Sequence, residues 1–125
     1  MAASDPPTPL NPNDLISKIR ISRYTVSCLP ENEPEAGSWD LTVEERGHGR
    51  WVVMNHGQCL KRNGGWMAER GGSHRDAILL RATRFDLQTA LAIAEKYAPT
   101  VVINGFTPAD LIEWRKTHPV APGRD

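Results

Sequence analysis

Cysteine, aromatic residues, long apolar runs and net charge are all scarce in this chain, and each scarcity removes a class of function. No apolar run approaches the ~18 residues of a membrane span, so no partner membrane is expected. The start, MAASDPPTPLNPND, has neither the basic opening nor the apolar centre of a signal peptide, and a cytoplasmic location is the expectation. Two cysteines, Cys28 and Cys59, make no disulfide framework; in a reducing compartment they are expected as small buried or half-buried thiols. A formal net charge of zero and a pI near 6.9 exclude a uniformly basic nucleic-acid binder.

Chemical motifs are missing as well. The chain holds no Gly-x-Ser-x-Gly, no His-Glu-x-x-His and no phosphate-binding glycine loop. RNGGW and RGGS are rich in glycine, but neither leads from a strand into a helix, so neither reads as a nucleotide cradle. Candidate metal ligands are Cys28, His48, His56, Cys59, His74 and His118, and only His56-x-x-Cys59 has a ligand-like spacing. In a regular strand those two side chains point to opposite faces, and they converge only if Gly57 forms a bulge or a turn. A reactive cysteine needs a site that stabilises its thiolate; Cys59 has Lys61 two residues away, and Cys28 has nothing local. The expectation is therefore no enzyme, no catalytic residues, no metal and no cofactor.

What is present is a folding pattern. At 125 residues, 39% hydrophobic and 24% charged, the chain suits one soluble domain with a modest core. Residues 1–12 hold four prolines and read as a disordered arm, 13–119 as a single domain and 120–125 as a loose tail. NDLISKIR is either one helical turn capped by Asn13 or Asp14, or the lead-in to a strand. RYTVSCL alternates Tyr24, Val26 and Cys28 against Thr25 and Ser27 with the period of a half-buried strand. PENEPEAGS is an acidic loop. SWDLTVEE and RWVVMNH form a hairpin across RGHG; pairing Glu45 with Arg50 sets Val43 opposite Val52 and Leu41 opposite Met54. KRNGGW supplies a second hairpin with Asn63-Gly64 as a type I′ turn, returning through GWMAE. RGGSHRD is a glycine-rich loop, and AILLRAT reads as a fifth, central strand.

From Asp86 onward the period changes to 3.6. Asp86 caps a helix whose stripe is Leu87, Ala90, Leu91, Ala94 and Ala98, widened by Ile93 and Tyr97 and stopped by Pro99. TVVI reads as a short strand, followed by a turn at Asn104-Gly105. Thr107 caps a second helix, with Pro108 in its first turn, Asp110 completing a capping box, Leu111 and Trp114 on its buried side and Pro119 beyond its end. The fold class is α+β: an antiparallel meander of four to five strands, with one long and one short C-terminal helix packed on one face.

Charge is uneven along this fold. Residues 1–43 carry three basic and six acidic groups, 44–85 eight and four, and 86–125 four and five. If the helices leave one sheet face open, the register above puts Trp51 and Val53 on it, and the second hairpin adds Lys61 and Trp66. Arg50, Arg62, Arg70 and Arg75 are close in sequence. Tryptophans between arginines suit an interface core, whether with a protein partner or with a second copy of the chain. The same pattern suits single-stranded nucleic acid, which stacks on aromatics and neutralises its phosphates on basic groups. The leading expectation is a non-enzymatic protein-interaction module, with a single-stranded nucleic-acid binder as the alternative. Its candidate binding residues are Trp51, Trp66, Arg50, Lys61 and Arg62.

RYTVSCLPE, GHGRWVVMNHGQCL, GW and RFDLQTALAIAEKYAPTVVINGFT together resemble small uncharacterised proteins of actinobacteria and their phages, over roughly residues 23 to 110. Eleven arginines against four lysines, the usage of a GC-rich coding sequence, agree with such a source. The resemblance implies a phage or mobile-element setting and no site residues.

Overall fold

The computed structural model describes residues 11–69 and 77–121. The expected arm at residues 1–12 lies mostly outside that range, as do RGGSHRD, Arg70, Arg75 and most of the C-terminal tail. Five strands form one antiparallel sheet in sequential order: β1 Arg23–Val26, β2 Leu41–Glu45, β3 Trp51–Asn55, β4 Gln58–Leu60 and β5 Trp66–Ala68. Among the described residues four α-helices accompany them: a single turn α1 Ala36–Trp39, then α2 Ala77–Thr83, α3 Leu87–Tyr97 and α4 Pro108–Thr117. The α+β meander with a long and a short C-terminal helix is therefore observed.

Several details differ from the sequence reading. NDLISKIR is a short 3-10 turn at Pro12–Asp14, capped by the Asn11 side chain, and then extended chain leading to β1. The acidic loop contains the turn α1, and β2 begins only at Leu41. The apolar run through residues 51–60 is two strands, because His56 and Gly57 both take positive φ (47° and 77°) and close a tight hairpin between Asn55 and Gln58. The Asn55 amide donates to the carbonyls of Ser38 and Asp40 (3.2 and 3.1 Å), tying this hairpin to α1. AILLRAT is a helix. Its Leu79 and Thr83, four apart, are both buried, and the Thr83 hydroxyl donates to the Leu79 carbonyl at 2.6 Å. Between β4 and β5 only Gly64 has positive φ (91°), so the loop is not a type I′ turn. A Cβ on Gly64 would sit 2.5 Å from the Tyr97 ring, which makes this glycine a packing requirement as well. TVVI forms no strand; a single bridge joins Ile103 to Phe106 around Asn104-Gly105.

The hairpin register is shifted by one residue. Val43 faces Val53, Glu44 faces Val52 and Glu45 faces Trp51. The five-residue connection Arg46–Arg50 closes with Arg46 N–H on the Arg50 carbonyl (2.8 Å), and Gly47, His48 and Gly49 all adopt positive φ. Trp51 and Val53 thus join Leu41, Val43 and Leu60 on the core face, where Ala90, Ile93 and Ala94 of α3, together with Phe85, Val101 and Leu111, close the main cluster. Each large aliphatic side chain buried there contributes about 1.5–3 kcal/mol relative to exposure. The expected caps are present: Asp86 accepts from Thr89 N–H at 2.8 Å, and Thr107 and Asp110 form the reciprocal box.

The opposite face is not open at β3. Val52 and Cys59 are fully buried yet belong outside the main cluster, and Leu79 of α2 is buried on the same terms. Arg84, just after α2, reaches Glu69 at 3.2 Å, and Glu69 also contacts the Cys59 thiol. Helix α2 and Arg84 therefore cover part of the second face.

Candidate functional site

Six of the eight basic residues of 44–85 converge where α2 meets the Arg46–Arg50 turn. Arg46, Gly47, His48, Arg50, Leu80, Arg81 and Arg84 line a concavity of about 540 Å³. A second, of about 330 Å³, adjoins it through Arg81 and Arg84 and adds Lys61, Arg62, Asn63 and Phe85. The two shared arginines make these one groove, with six Lys or Arg side chains and one histidine along it.

Its charges fall into two groups. Arg46 and Arg84 form the walls and are held by one carboxylate: Arg46 lies 3.2 Å and Arg84 3.2 Å from Glu69, while Arg46 also reaches Glu44 at 3.3 Å. The Arg84 guanidinium further donates to the Thr83 hydroxyl at 2.9 Å. Burial would raise the Glu69 pKa, but the Cys59 thiol and the two guanidiniums outweigh it and hold the carboxyl below its ordinary range. The remaining cations are held by no ion pair among the described residues: Arg50, Lys61 and Arg81 have none, and Arg62 has only the Phe85 ring beneath it, 5.3 Å from the ring centroid. Asp86, close enough to feel Arg50 and Arg62, spends its carboxylate on the cap of α3.

Three of the five residues singled out from the sequence, Arg50, Lys61 and Arg62, line this groove. The two tryptophans lie elsewhere. Trp51 is 8% exposed on the core face, 5.7 Å from Tyr24 and paired through its backbone with Phe85. Trp66, opposite Leu60, is half-buried against the same core cluster. The expectation of an open Trp51/Val53 face is corrected by the register. Arg46, His48, Arg81 and Arg84 were not picked out as site residues; the local charge excess over 44–85 was the signal that contained them.

His56 and Cys59 do not converge. His56 sits exposed on the hairpin tip with its Nε2 3.0 Å from the Ser38 carbonyl, a contact that needs the proton on Nε2. Cys59 is fully buried, with Sγ 3.3 Å from a Glu69 oxygen. Burial, reinforced by that neighbouring carboxylate, pushes its pKa up to about 11, so it is a thiol at neutral pH despite Lys61 nearby in sequence. Cys28, expected as a strand residue, lies exposed beyond the end of β1. Iodoacetamide at neutral pH is expected to modify Cys28 alone in native protein and Cys59 only after denaturation; peptide mass mapping reads this, and equal labelling of both would overturn the burial of Cys59.

Among the described residues no three His, Cys, Asp or Glu side chains gather as a metal site, and no helix is long and apolar enough to cross a membrane. Comparison with family models, with curated proteins and with solved structures finds no match.

Proposed function

We propose that this chain is a non-enzymatic binding module that holds the phosphate backbone of a nucleic acid in the arginine-lined groove. The observation that carries the reading is the row of cations held by no ion pair among the described residues, Arg50, Lys61, Arg62 and Arg81, running along two adjoining concavities whose walls are fixed by Glu69. Zero net charge is no obstacle to this, because the groove is locally basic while the acids of residues 31–40 lie in another part of the chain. Stacking of bases on Trp51 and Trp66 is not part of the proposal: one is core and the other packs against it. Phe85, the aromatic in the groove, is 4% exposed beneath Arg62. Contacts made through phosphates alone give weak sequence preference and a strong dependence on salt.

The test is anisotropy of labelled single- and double-stranded oligonucleotides across a salt series. Four phosphate contacts predict a slope of log K against log salt near −2.8 on a single strand, at about 0.7 per contact. Arg50→Ala and Arg81→Ala should each flatten the slope by about 0.7 with the fold unchanged. Absence of binding at low salt by folded protein would refute the proposal, and so would binding whose slope is indifferent to both variants.

A further inference from the structure

The segment that enters the sheet is an apolar arm on which none of the described residues closes. Leu15, Ile16, Ile19 and Ile21 are exposed by 69%, 80%, 100% and 61% in extended chain. Between residues 15 and 30 the only charges are Lys18, Arg20 and Arg23, all positive. Four aliphatic side chains left this exposed within seven residues of a soluble chain call for a cover.

A matching surface exists at the other end of the molecule. Trp39, Ile103, Phe106, Leu111 and Trp114 line an open groove of about 270 Å³ with Glu35 on its rim. The Trp39 indole donates to the Phe106 carbonyl at 2.9 Å and so fixes the floor. Phe106 and Trp114 remain 37% and 39% exposed, although Trp114 was expected on the buried side of its helix; its ring instead stacks on His118 at 4.0 Å. The chain beside the groove, residues 31–40, carries Glu31, Glu33, Glu35 and Asp40 and no basic group. Arg115 pairs with Glu33 at 2.9 Å, lies 4.9 Å from the Trp114 ring centroid and also feels the Glu35 charge, which no ion pair among the described residues holds.

We infer that the arm of one copy docks in the Trp39–Trp114 groove of a second copy, and that reciprocal docking closes a dimer. Charge and hydropathy both match: a basic aliphatic segment meets an aromatic groove with an acidic rim. Pairing two arms with each other would instead set Lys18, Arg20 and Arg23 against their own kind, which costs stability. Docking within one chain is opposed by the direction of the arm. Ser22 accepts from Glu45 N–H (3.0 Å) and Arg20 pairs with Glu45 (3.5 Å), so the arm leaves at the Glu45 end of β2, whereas Trp39 lies beyond its Leu41 end. Two different surfaces in reciprocal contact close a two-fold assembly and bury both.

Sedimentation of the full chain decides this, together with the full-length double variant Ile16→Asp/Ile19→Asp, whose substitutions fall on exposed positions and leave the circular dichroism unchanged. The wild type should sediment as a dimer at tens of micromolar, and the variant should raise the dissociation constant at least tenfold. A synthetic peptide of residues 11–22 added to the variant should quench its tryptophan emission, and the response should fall when Trp114→Ala is added. Emission from Trp39 and Trp114 sees this groove and not the arginine-lined one, so the result is separable from nucleic-acid binding. A wild type that is monomeric at these concentrations overturns the inference. So does a dimer unaffected by the arm variant, or a peptide without effect. A monomer whose emission changes in the arm variant would mean the arm occupies its own groove, and that also overturns it.

Discussion

Trp51→Ala is expected to destabilise the fold by about 3–5 kcal/mol, the cost of emptying a large core site. The indole is 8% exposed and its ring centroid lies 5.7 Å from that of Tyr24, in a cluster with Leu41, Val43, Val53 and Phe85. Its neighbours Val43, Val53 and Leu60 are themselves fully buried and are not free to fill the space. The backbone bonds to Phe85, at 2.7 and 2.9 Å, survive the substitution, so the loss is one of packing. Trp66→Ala, on the edge strand β5 and half-buried, should cost much less, about 1–2 kcal/mol. Urea denaturation of the two variants checks the ordering. Equal small losses would mean that Trp51 faces outward and that the strands pair one residue out of register from the arrangement described here.

That contrast turns on one residue of register, and it shows where the sequence stops informing. The period-2 pattern located β1 and β2, the RGHG turn located β3 as the returning strand, and the 3.6 period with its caps placed α3 and α4. The pairing of β2 with β3 was not legible, because the run Trp51-Val52-Val53-Met54 is apolar on both faces, and either register buries an apolar set against Leu41 and Val43. What decides it is the connection Gly47-His48-Gly49, whose positive φ values let Arg46 and Arg50 bond to each other. A histidine at φ 55° is not foreseeable from composition. The same blindness hid the turn at His56-Gly57.

The second face of β3 needs a cover for Val52, and its identity was the other illegible element. AILLRAT is too short for periodicity to separate strand from helix. Its alanines and leucines favour helix, and Leu79 and Thr83 are buried at helical spacing. Reading it as a strand scattered Arg81 and Arg84 along a sheet; as the end of a helix they arrive together beside Arg46 and Arg50. The groove was thus visible as a charge excess and invisible as a place.

Glu69→Gln should lower stability while it raises affinity for nucleic acid, two effects of opposite sign from one charge. In the native protein a single carboxylate bonds Arg46 and Arg84 and accepts from the Cys59 thiol, with 16% of its side chain exposed. The amide keeps the shape and loses the charge, leaving the Arg84 guanidinium without a counter-ion and Arg46 with Glu44 alone, for a cost of about 2–3 kcal/mol. By contrast Glu113→Gln, which breaks an exposed pair with Lys116 at 2.7 Å, should change nothing measurable. The pH dependence has a fixed sign. Glu69 titrates below its unfolded value, so its contribution is complete above that value and disappears as pH falls through the folded one. The melting temperatures of wild type and Glu69→Gln should therefore differ at neutral pH and draw together as the pH falls below the ordinary glutamate range. Binding moves the other way: Arg84, released from the carboxylate, becomes available to phosphates, and the salt slope should steepen by about 0.7 for one added contact. If the folded variant binds more weakly at every salt concentration, Glu69 serves the groove by aiming its arginines, and electrostatic competition is the wrong account of its role.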